Sequence, residues 1–258
     1  MTGKGKVKRV NGSLVVAEGL PGARIGDVVH IGGLKLVGEV VRMSGGDVSL
    51  QCYEDTSGLK PGEPVSTTGR PLSAELGPGL IGNIFDGLEF SEVAMAQLGG
   101  AFVKRGIEIA PLDRKKKWPF TPRVKKGDRV IEGDIIGTVP ETTVIEHRIL
   151  VPVGLRGTIT AIDEGDVTVE DEVAALRSPD GKEVVIKLMQ VWPVRVPRPY
   201  KAALPSVEPL ITGQRVVDSF FPVSKGGTAA IPGGFGTGKT VTLHQLAKWS
   251  DAHIIIYI

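Results

Sequence analysis

The sequence contains a single cysteine, Cys52, among 258 residues. One thiol cannot form an intrachain disulfide, and no cysteine or histidine spacing in the chain matches a zinc site. Cys52 falls in an apparent strand, where we expect a small core residue and not a nucleophile. The chain is therefore predicted to work in a reducing compartment.

Long apolar runs are also missing from the chain. Runs such as Ile254–Ile256 are far too short to span a bilayer. The N-terminus is basic, but it lacks the apolar stretch that follows in a secretory signal. We therefore expect neither a transmembrane segment nor a signal peptide, and any membrane association would come through partners.

The formal net charge is only +2, and aromatic residues make up 5% of the chain. Neither value favours nucleic-acid binding, which uses clustered cations and stacking aromatic rings. One basic cluster does occur, but an acidic stretch follows it, and we interpret the two as neighbours that face each other. The basic residues are Arg114, Lys115, Lys116, Lys117, Arg123, Lys125, Lys126 and Arg129, and the acidic residues are Asp163, Glu164, Asp166, Glu170, Asp171 and Glu172.

Glycine, in contrast, is abundant, with 35 residues. From residue 6 to residue 69, glycine turns alternate with short β-like runs. This pattern predicts a small closed β-barrel, because closure removes the exposed strand edges. We assign residues 1–70 to this N-terminal barrel, with strands at Leu14–Val16, Val28–Ile31, Val37–Val41 and Val48–Tyr53.

A connector and a second β domain are predicted to follow. Residues 71–112 form the connector, with one or two helical turns from Glu92 to Leu98. Residues 113–190 form a second compact β domain, in which Val130–Val139 and Val151–Ile162 look like the two halves of a barrel-sandwich hybrid. Its strands are predicted at Val130–Ile131, Ile135–Val139, Gly157–Ile162, Val167–Val169 and Val184–Ile186.

Gly-Asp pairs recur before apolar runs in both β domains. We interpret them as turns, since glycine accepts unusual backbone angles and aspartate bonds nearby amides. The pairs are Gly26-Asp27, Gly46-Asp47, Gly127-Asp128, Gly133-Asp134 and Gly165-Asp166.

Five prolines lie between Trp192 and Pro209. This density excludes a regular helix or a central strand. We predict that residues 191–209 form a stiff linker, with a PxxP ligand for a recognition module as the alternative. Residues 210–258 then begin the last domain.

The last domain contains GGFGTGKT, Gly233–Thr240, which matches the phosphate-binding template G-x-x-x-x-G-K-[ST]. Its glycines let successive backbone N–H groups approach a polyphosphate at the positive end of a helix. Lys239 is the candidate catalytic residue because its ammonium group reaches the terminal phosphates, and Thr240 is the candidate magnesium ligand. The candidate cofactor-binding residues are Gly233, Gly234, Phe235, Gly236, Thr237, Gly238, Lys239 and Thr240.

The template is convincing only between a strand and a helix. We predict the strand at Thr228–Ile231, the helix at Thr240–Trp249, and a second buried strand at His253–Ile258. A nucleotide-binding α/β domain needs several parallel strands covered by helices. The chain is therefore expected to hold only the truncated start of such a domain.

Taken together, these motifs resemble the catalytic A subunit of the rotary V-type and archaeal-type ATPases. The resemblance covers nearly the whole chain. The β subunit of F-type synthases is similar too, but it typically has a small residue in place of Phe235 and lacks the inserted β domain. The non-catalytic V-type subunit lacks the Lys-Thr ending. The matching motifs are Tyr53–Leu59 (YEDTSGL), Trp118–Pro122 (WPFTP), Glu146–Pro152 (EHRILVP), Thr212–Arg215, Phe220–Pro222 and GGFGTGKT.

The resemblance implies a multidomain fold: an N-terminal β-barrel, an inserted barrel-sandwich-like domain and the start of a P-loop α/β domain. It implies ATP or ADP with Mg²⁺ as cofactors, and ATP hydrolysis or synthesis coupled to proton or sodium transport. Expected partners are non-catalytic B-type subunits in an alternating hexameric ring, a central stalk, a membrane ion-translocating sector and a peripheral stalk, without nucleic acid. The complex would sit on the cytoplasmic side of a membrane, with this subunit peripheral.

The same resemblance places three further features beyond Ile258: the glutamate that positions the attacking water, an aspartate on the second strand motif, and the adenine-binding aromatics. We therefore expect little turnover from this chain alone. One alternative is a carrier module, although Glu141–Leu150, the hairpin where carriers present a modified lysine, contains no lysine. The other is an RNA-translocating hexameric ATPase, which RNA-stimulated hydrolysis would distinguish.

Overall fold

The computed structural model describes residues 3–99, 104–107 and 109–258. The chain divides into two compact units, Met1–Arg198 and Pro199–Ile258. Seven positions of the predicted barrel and connector, residues 1, 2, 100–103 and 108, lie outside the described residues.

In its described residues, the first unit consists of short strands and one helix. In chain order the strands are β1 (Lys4–Asn11), β2 (Leu14–Glu18), β3 (Asp27–Ile31), β4 (Leu36–Ser44), β5 (Asp47–Cys52), β6 (Pro64–Pro71), β7 (Ser73–Leu76), β8 (Trp118–Pro122), β9 (Arg129–Val130), β10 (Ile135–Pro140), β11 (Glu146–Leu150), β12 (Gly157–Ile162), β13 (Gly165–Val167), β14 (Glu172–Arg177), β15 (Glu183–Lys187) and β16 (Gln190–Pro193), and the helix between β7 and β8 is α1 (Glu92–Gly99).

The first six strands form a closed antiparallel barrel, which confirms the prediction from the glycine turns. The strand order is β1-β2-β5-β4-β3-β6, and the pairing of β1 with β6 closes it. Every second residue of β3 and β5 is buried, as expected for strands with one face toward a core. Cys52 belongs to this core, as predicted.

Two four-stranded antiparallel sheets form the second β domain, in the orders β11-β10-β8-β13 and β15-β14-β12-β9. They share one apolar core that includes Phe120, Ile136 and Ile159. The strand predicted at Val167–Val169 is displaced, because β13 begins at Gly165 and ends at Val167. No strand is predicted at Trp118–Pro122, whose two prolines argue against a central strand. In the structure, however, β8 pairs with both β10 and β13.

The Gly-Asp pairs at residues 127–128 and 133–134 form the predicted turns. Lys125 N–H donates to Asp128 Oδ2 at 2.8 Å, and Ile131 N–H donates to Asp134 Oδ2 at 2.8 Å. Each turn also forms two backbone hydrogen bonds with a residue later in the chain. The first turn donates to the carbonyl of Ile159 and accepts from its amide, and the second turn does the same with Val151. The turns therefore bind the two halves of the sandwich to each other. Gly165-Asp166 is an exception, because it opens strand β13.

The linker prediction needs one correction at its start. Residues 191–193 belong to β16, which pairs with β7 in a two-stranded ladder. Pro193 is tolerated there because it is the last residue of an edge strand, where no further ladder bond is needed.

The second unit has little regular structure. Its elements are β17 (Pro209–Leu210), α2 (Arg215–Phe220), β18 (Val223–Ser224) and α3 (Lys239–Trp249), and β17 pairs with β18. Neither helix contains a buried residue. Thr212, at 2% exposure, is the one buried residue between positions 199 and 258, all of which are described.

The helix predicted at Thr240–Trp249 is confirmed by α3, but both strands predicted beside it are wrong. Thr228–Ile231 and His253–Ile258 are not strands. The physical reason is that a strand exists only through hydrogen bonds to a neighbouring strand. Within residues 199–258, the only ladder is that between β17 and β18, and neither segment takes part in it.

Candidate functional site

The GGFGTGKT loop turns sharply into helix α3. Gly238 is the N-cap residue and has φ of 80°, a left-handed conformation that glycine adopts without strain. Thr237 Oγ1 donates to the Gly234 carbonyl at 2.9 Å and so closes the loop on itself. A Cβ on Gly233 would lie 2.5 Å from that same hydroxyl, so the closed loop requires glycine there. The loop conformation thus rests on contacts within the motif.

The backbone N–H groups of the loop form a row of donors. The first backbone bond of α3 runs from Thr242 N–H to the Gly238 carbonyl at 2.9 Å. Within the part of the chain that the structure describes, no N–H from Gly233 to Val241 donates to a protein acceptor. Unpaired N–H groups at the positive end of a helix dipole are the donor set that binds a phosphate. The loop is therefore suited to an anionic ligand.

The Lys239 ammonium group lies over the loop. Its Nζ donates to the carbonyls of Gly233 and Gly234, at 2.5 and 2.6 Å. An ammonium group has three donor hydrogens, and backbone carbonyls hold two of them. The cation is thus held at the start of the loop by Gly233 and Gly234.

Two other candidate residues face solvent. Thr240 lies in the first turn of α3 and is exposed. Phe235 is fully exposed, so its ring packs against no other part of the protein. The hydroxyl of Thr240 is therefore accessible to a ligand that reaches the loop.

The carboxylates of the second unit are Glu208, Asp218 and Asp251, and each has a partner of its own. Asp218 accepts hydrogen bonds from the Thr212 hydroxyl and the Thr212 and Gly213 amides, and the bonds from Thr212 hold the pKa of this carboxyl below its usual range. Lys225 Nζ contacts Glu208 at 2.8 Å and Asp251 at 3.2 Å, and these bonds raise the pKa of the lysine. No carboxylate of this unit is paired with a group of the loop.

Models of one protein family match the chain in three places. The beta-barrel domain of the ATP synthase alpha/beta family matches residues 7–69. The ATP synthase alpha/beta subunit barrel-sandwich domain matches residues 109–195, and the nucleotide-binding domain of the family matches residues 213–258. The chain belongs to the ATP synthase alpha/beta family.

Individual members of the ATP synthase alpha/beta family are similar over nearly the whole chain. The V-type ATP synthase alpha chain of Acetivibrio thermocellus is 54% identical over 255 residues, which are 99% of this chain and 43% of that protein. The A subunit of the A-type ATP synthase of Thermococcus kodakarensis is 53% identical over 255 residues, which are 98% of this chain and 44% of that protein. The chain thus spans less than half the length of these relatives.

The YEDTSGL motif of this family member has a structural role that the sequence analysis did not find. Glu54 accepts hydrogen bonds from the amides of Val37, at 2.8 Å, and Gly106, at 2.6 Å. Arg105 donates to the carbonyls of Asp55, at 3.1 Å, and Ser57. The motif therefore binds residues 105–106 of the connector to the barrel.

Tyr53, the first residue of this motif, joins a second cluster. Its hydroxyl donates to the buried carboxylate of Glu39, to which Arg195 also donates through both terminal nitrogens, Nη2 at 2.8 Å. The hydrogen bonds from Arg195 are the main cause that lowers the pKa of Glu39, while burial raises the pKa of Tyr53. This cluster ties the segment after β16 to the barrel.

The basic residues near position 114 have acidic neighbours. Arg114 Nη2 lies 2.6 Å from Glu75, and its Nε lies 3.1 Å from Glu170 of the acidic stretch. Arg123 pairs with Glu146 at 3.0 Å. The predicted contact between the basic cluster and the acidic stretch is thus present at Arg114.

A cavity of about 390 Å³ lies in the first unit, beside β3, β6 and β7. Its lining includes His30, Arg70 and Glu89 but no residue of the GGFGTGKT loop.

The described residues contain no group of three or more histidine, cysteine or acidic side chains arranged to hold a metal ion. Their helices also include none with the length and apolar character to cross a membrane.

Proposed function

We propose that residues 233–241 bind the phosphates of ATP or ADP with Mg²⁺, in the catalytic subunit of a rotary, ion-translocating ATPase. The observation that carries the proposal is the row of N–H groups from Gly233 to Val241 without protein acceptors, at the N-terminus of α3. The match to the nucleotide-binding domain of the family, over residues 213–258, supports it.

Lys239 and Thr240 have separate roles in this proposal. Lys239, which holds two carbonyls of the loop, would transfer its hydrogen bonds to the terminal phosphates and stabilise charge on the transferred phosphoryl group. Thr240 would hold the magnesium ion through its exposed hydroxyl. The ion, when bound, neutralises the charge that develops on the phosphate oxygens. The surrounding glycines and the Thr237 hydroxyl shape the loop, while the exposed Phe235 ring takes no part in the chemistry.

We also propose that the domains follow the boundaries predicted from the sequence. These are a barrel at residues 1–70, a connector at 71–112, an inserted β domain at 113–190, a linker at 191–209, of which residues 191–193 still belong to β16, and the start of the nucleotide-binding domain at 210–258. The ranges matched by the family models, 7–69, 109–195 and 213–258, support them.

For the whole protein we propose ATP hydrolysis or synthesis coupled to proton or sodium transport. Its partners would be B-type subunits in an alternating ring, central and peripheral stalks and a membrane sector, with this subunit peripheral on the cytoplasmic side. The support is the similarity to a V-type ATP synthase alpha chain and to the A subunit of an A-type ATP synthase.

We propose that the chain alone has little turnover. Catalysis of phosphoryl transfer depends mostly on positioned groups, including one that orients the attacking water. The three carboxylates of residues 199–258 are engaged by Lys225 or by Thr212 and Gly213, so none is available beside the loop.

Calorimetry with Mg-ATP tests the loop directly. We expect the wild type to bind and Lys239→Ala to lose most of the affinity, because the terminal phosphates lose their cation. Lys248→Ala is the matched control, since Lys248 lies on the same helix but over the Trp249 ring. Thr240→Val should weaken binding in magnesium more than in EDTA.

One outcome would contradict the proposal for the loop, and another would contradict the proposal of little turnover. Equal affinity losses in Lys239→Ala and Lys248→Ala would show that the affinity for ATP depends on the overall positive charge of the helix and not on Lys239 in particular. Rapid hydrolysis by the wild-type chain, measured in parallel by phosphate release, would show that the groups which position water are present within it.

A further inference from the structure

A buried carboxylate joins the inserted β domain to the connector. Glu141 stands at the start of the hairpin between β10 and β11, and its side chain is 2% exposed. Its Oε1 accepts hydrogen bonds from the amides of Gly79, at 2.7 Å, and Ile81, at 3.1 Å. Its Oε2 lies 3.0 Å from His147 Nδ1 on β11. One side chain thus bonds two segments that are about 60 residues apart in the chain.

The hairpin that carries Glu141 is held in shape by its own bonds. The amides of Glu141 and Thr142 both donate to the Ile145 carbonyl, at 3.0 and 3.1 Å. The Thr142 hydroxyl accepts a hydrogen bond from the Ile145 amide at 3.0 Å. The carboxylate therefore projects from a fixed turn and not from a freely moving loop.

The connector side is equally constrained. Gly79 has φ of 112°, which favours glycine, and a Cβ there would lie 3.4 Å from the Trp118 ring. Asn83 Nδ2 donates to the Gly79 carbonyl at 2.5 Å. Residues 77–83 contain no charged side chain, and the donors that this segment gives to the carboxylate are the backbone amides of Gly79 and Ile81.

The cost of leaving buried polar groups without hydrogen bonds favours the contact of Glu141 with Gly79 and Ile81. A buried carboxylate is costly unless hydrogen bonds compensate it, and here two amides and an imidazole do so. Removal of the carboxylate would leave the Gly79 and Ile81 amides without their acceptor, which costs more than the bonds themselves contributed. The docked position of the hairpin is therefore strongly preferred over nearby alternatives.

We propose that the β10–β11 hairpin is an intramolecular docking surface whose partner is the Gly79–Ile81 turn, and that Glu141 is a positioning residue which, together with the β7–β16 ladder and the Arg114–Glu75 pair, fixes the orientation of the inserted β domain on the connector. The hairpin occupies the place where a carrier module would display a modified lysine to solvent. Here it presents an inward carboxylate, so its function is attachment and not display. The proposal is independent of nucleotide binding at the loop.

Amide hydrogen exchange on the whole chain tests the docking. In Glu141→Ala, we expect exchange at Gly79 and Ile81 to accelerate at least about tenfold, while the amides of Ile136 and Ile159 in the domain core keep their protection. Glu141→Gln should have a smaller effect, because it keeps one carbonyl oxygen as an acceptor. Glu146→Gln is the matched control, since this exposed glutamate on the same hairpin pairs with Arg123.

Residual dipolar couplings measure orientation separately. The barrel and the inserted domain should share one alignment tensor in the wild type and in Glu146→Gln, and should have different tensors in Glu141→Ala. The proposal is overturned if the tensors stay equal, if exchange at Gly79 and Ile81 is unchanged, or if protection falls equally at Ile136 and Ile159. Equal loss of protection would mean that Glu141 stabilises the domain core and not the contact between the hairpin and the Gly79–Ile81 turn. If Glu141→Ala does not fold, the same measurements on the milder Glu141→Gln variant test the proposal.

Discussion

The two units of this chain differ in what holds their structure, buried apolar packing in the first and local hydrogen bonds in the second. The first unit has two apolar cores, one inside the barrel and one between the sheets of the sandwich. The second unit buries only Thr212, and large side chains such as Phe220, Trp249 and Ile256 are exposed. Yet the GGFGTGKT loop of the second unit has a defined shape, given by Gly238, the Thr237 hydroxyl and the Lys239 ammonium group. The shape of a loop can thus be specified by local contacts where buried packing around it is absent.

The largest expected effect comes from a matched pair of leucines. Leu50 is fully buried in the barrel core, whereas Leu243 on α3 is 46% exposed. Leu50→Ala should lower the free energy of unfolding by about 2–5 kcal/mol through lost burial and the cavity left behind. Leu243→Ala should change it by less than about 0.5 kcal/mol. Urea unfolding followed by circular dichroism measures both, and similar losses in the two variants would contradict the contrast between the units.

A pair of glycines sharpens the same contrast. A Cβ on Gly137 of β10 would overlap the Phe120 ring, whereas a Cβ on Gly234 of the loop would have nothing within 4 Å. Gly137→Ala should therefore destabilise the chain by about 1–3 kcal/mol through overpacking. Gly234→Ala should leave the unfolding midpoint in urea unchanged. A stable Gly137→Ala variant would show that the sandwich core accommodates the extra methyl group.

An acid titration tests the pair of Glu39 and Arg195, which binds the segment after β16 to the barrel. Because Arg195 and Tyr53 lower the pKa of Glu39, this carboxylate contributes stability above its unfolded pKa of about 4.3. That contribution is lost as pH falls through the lower folded pKa. We expect the stability difference between the wild type and Arg195→Met to shrink as pH is lowered from about 6 to about 2. Arg198→Met, next to Trp192, is the control and should show no such dependence.

The smallest effect is expected at Phe235, whose ring is fully exposed. Phe235→Ala should leave the stability of the chain within about 0.5 kcal/mol of the wild type. Hydrogen exchange along α3 is the appropriate measurement, because it reports on the helix that follows the loop. Faster exchange in Phe235→Ala would mean that this aromatic ring packs on the second unit in solution.

The sequence predicted the features that depend on neighbouring residues. Short apolar runs between glycines predicted the strands and tight turns of the barrel, and the spacing of glycine, lysine and threonine predicted the loop and the start of α3. Closure of the barrel was predicted on separate grounds, because it removes exposed strand edges. The strands predicted at Thr228–Ile231 and His253–Ile258 failed, because strand formation depends on a partner strand that a local pattern does not reveal.

The carboxylates that join parts of the first unit were missed for a related reason. Glu39 and Arg195 are 156 positions apart, and Glu141 and Gly79 are 62 positions apart. A glutamate with such a distant partner looks like any surface glutamate in a single sequence. A glutamate directly before a tight hairpin turn is a weak signal, and it offers no indication of which amides it will meet.

The pairing of β1 with β6 has a consequence for how quickly the protein folds. Lys4 and Ser66 are partners in this ladder although about 60 residues separate them. Bringing the ends of such a segment together costs about 3–4 kcal/mol of chain entropy before any contact repays it. Hairpins such as β1–β2 and β4–β5 join strands only two residues apart and can form early. We therefore expect closure of the barrel to be the slow step of folding. Until it occurs, the unpaired edges of β1 and β6 can pair with strands of other chains.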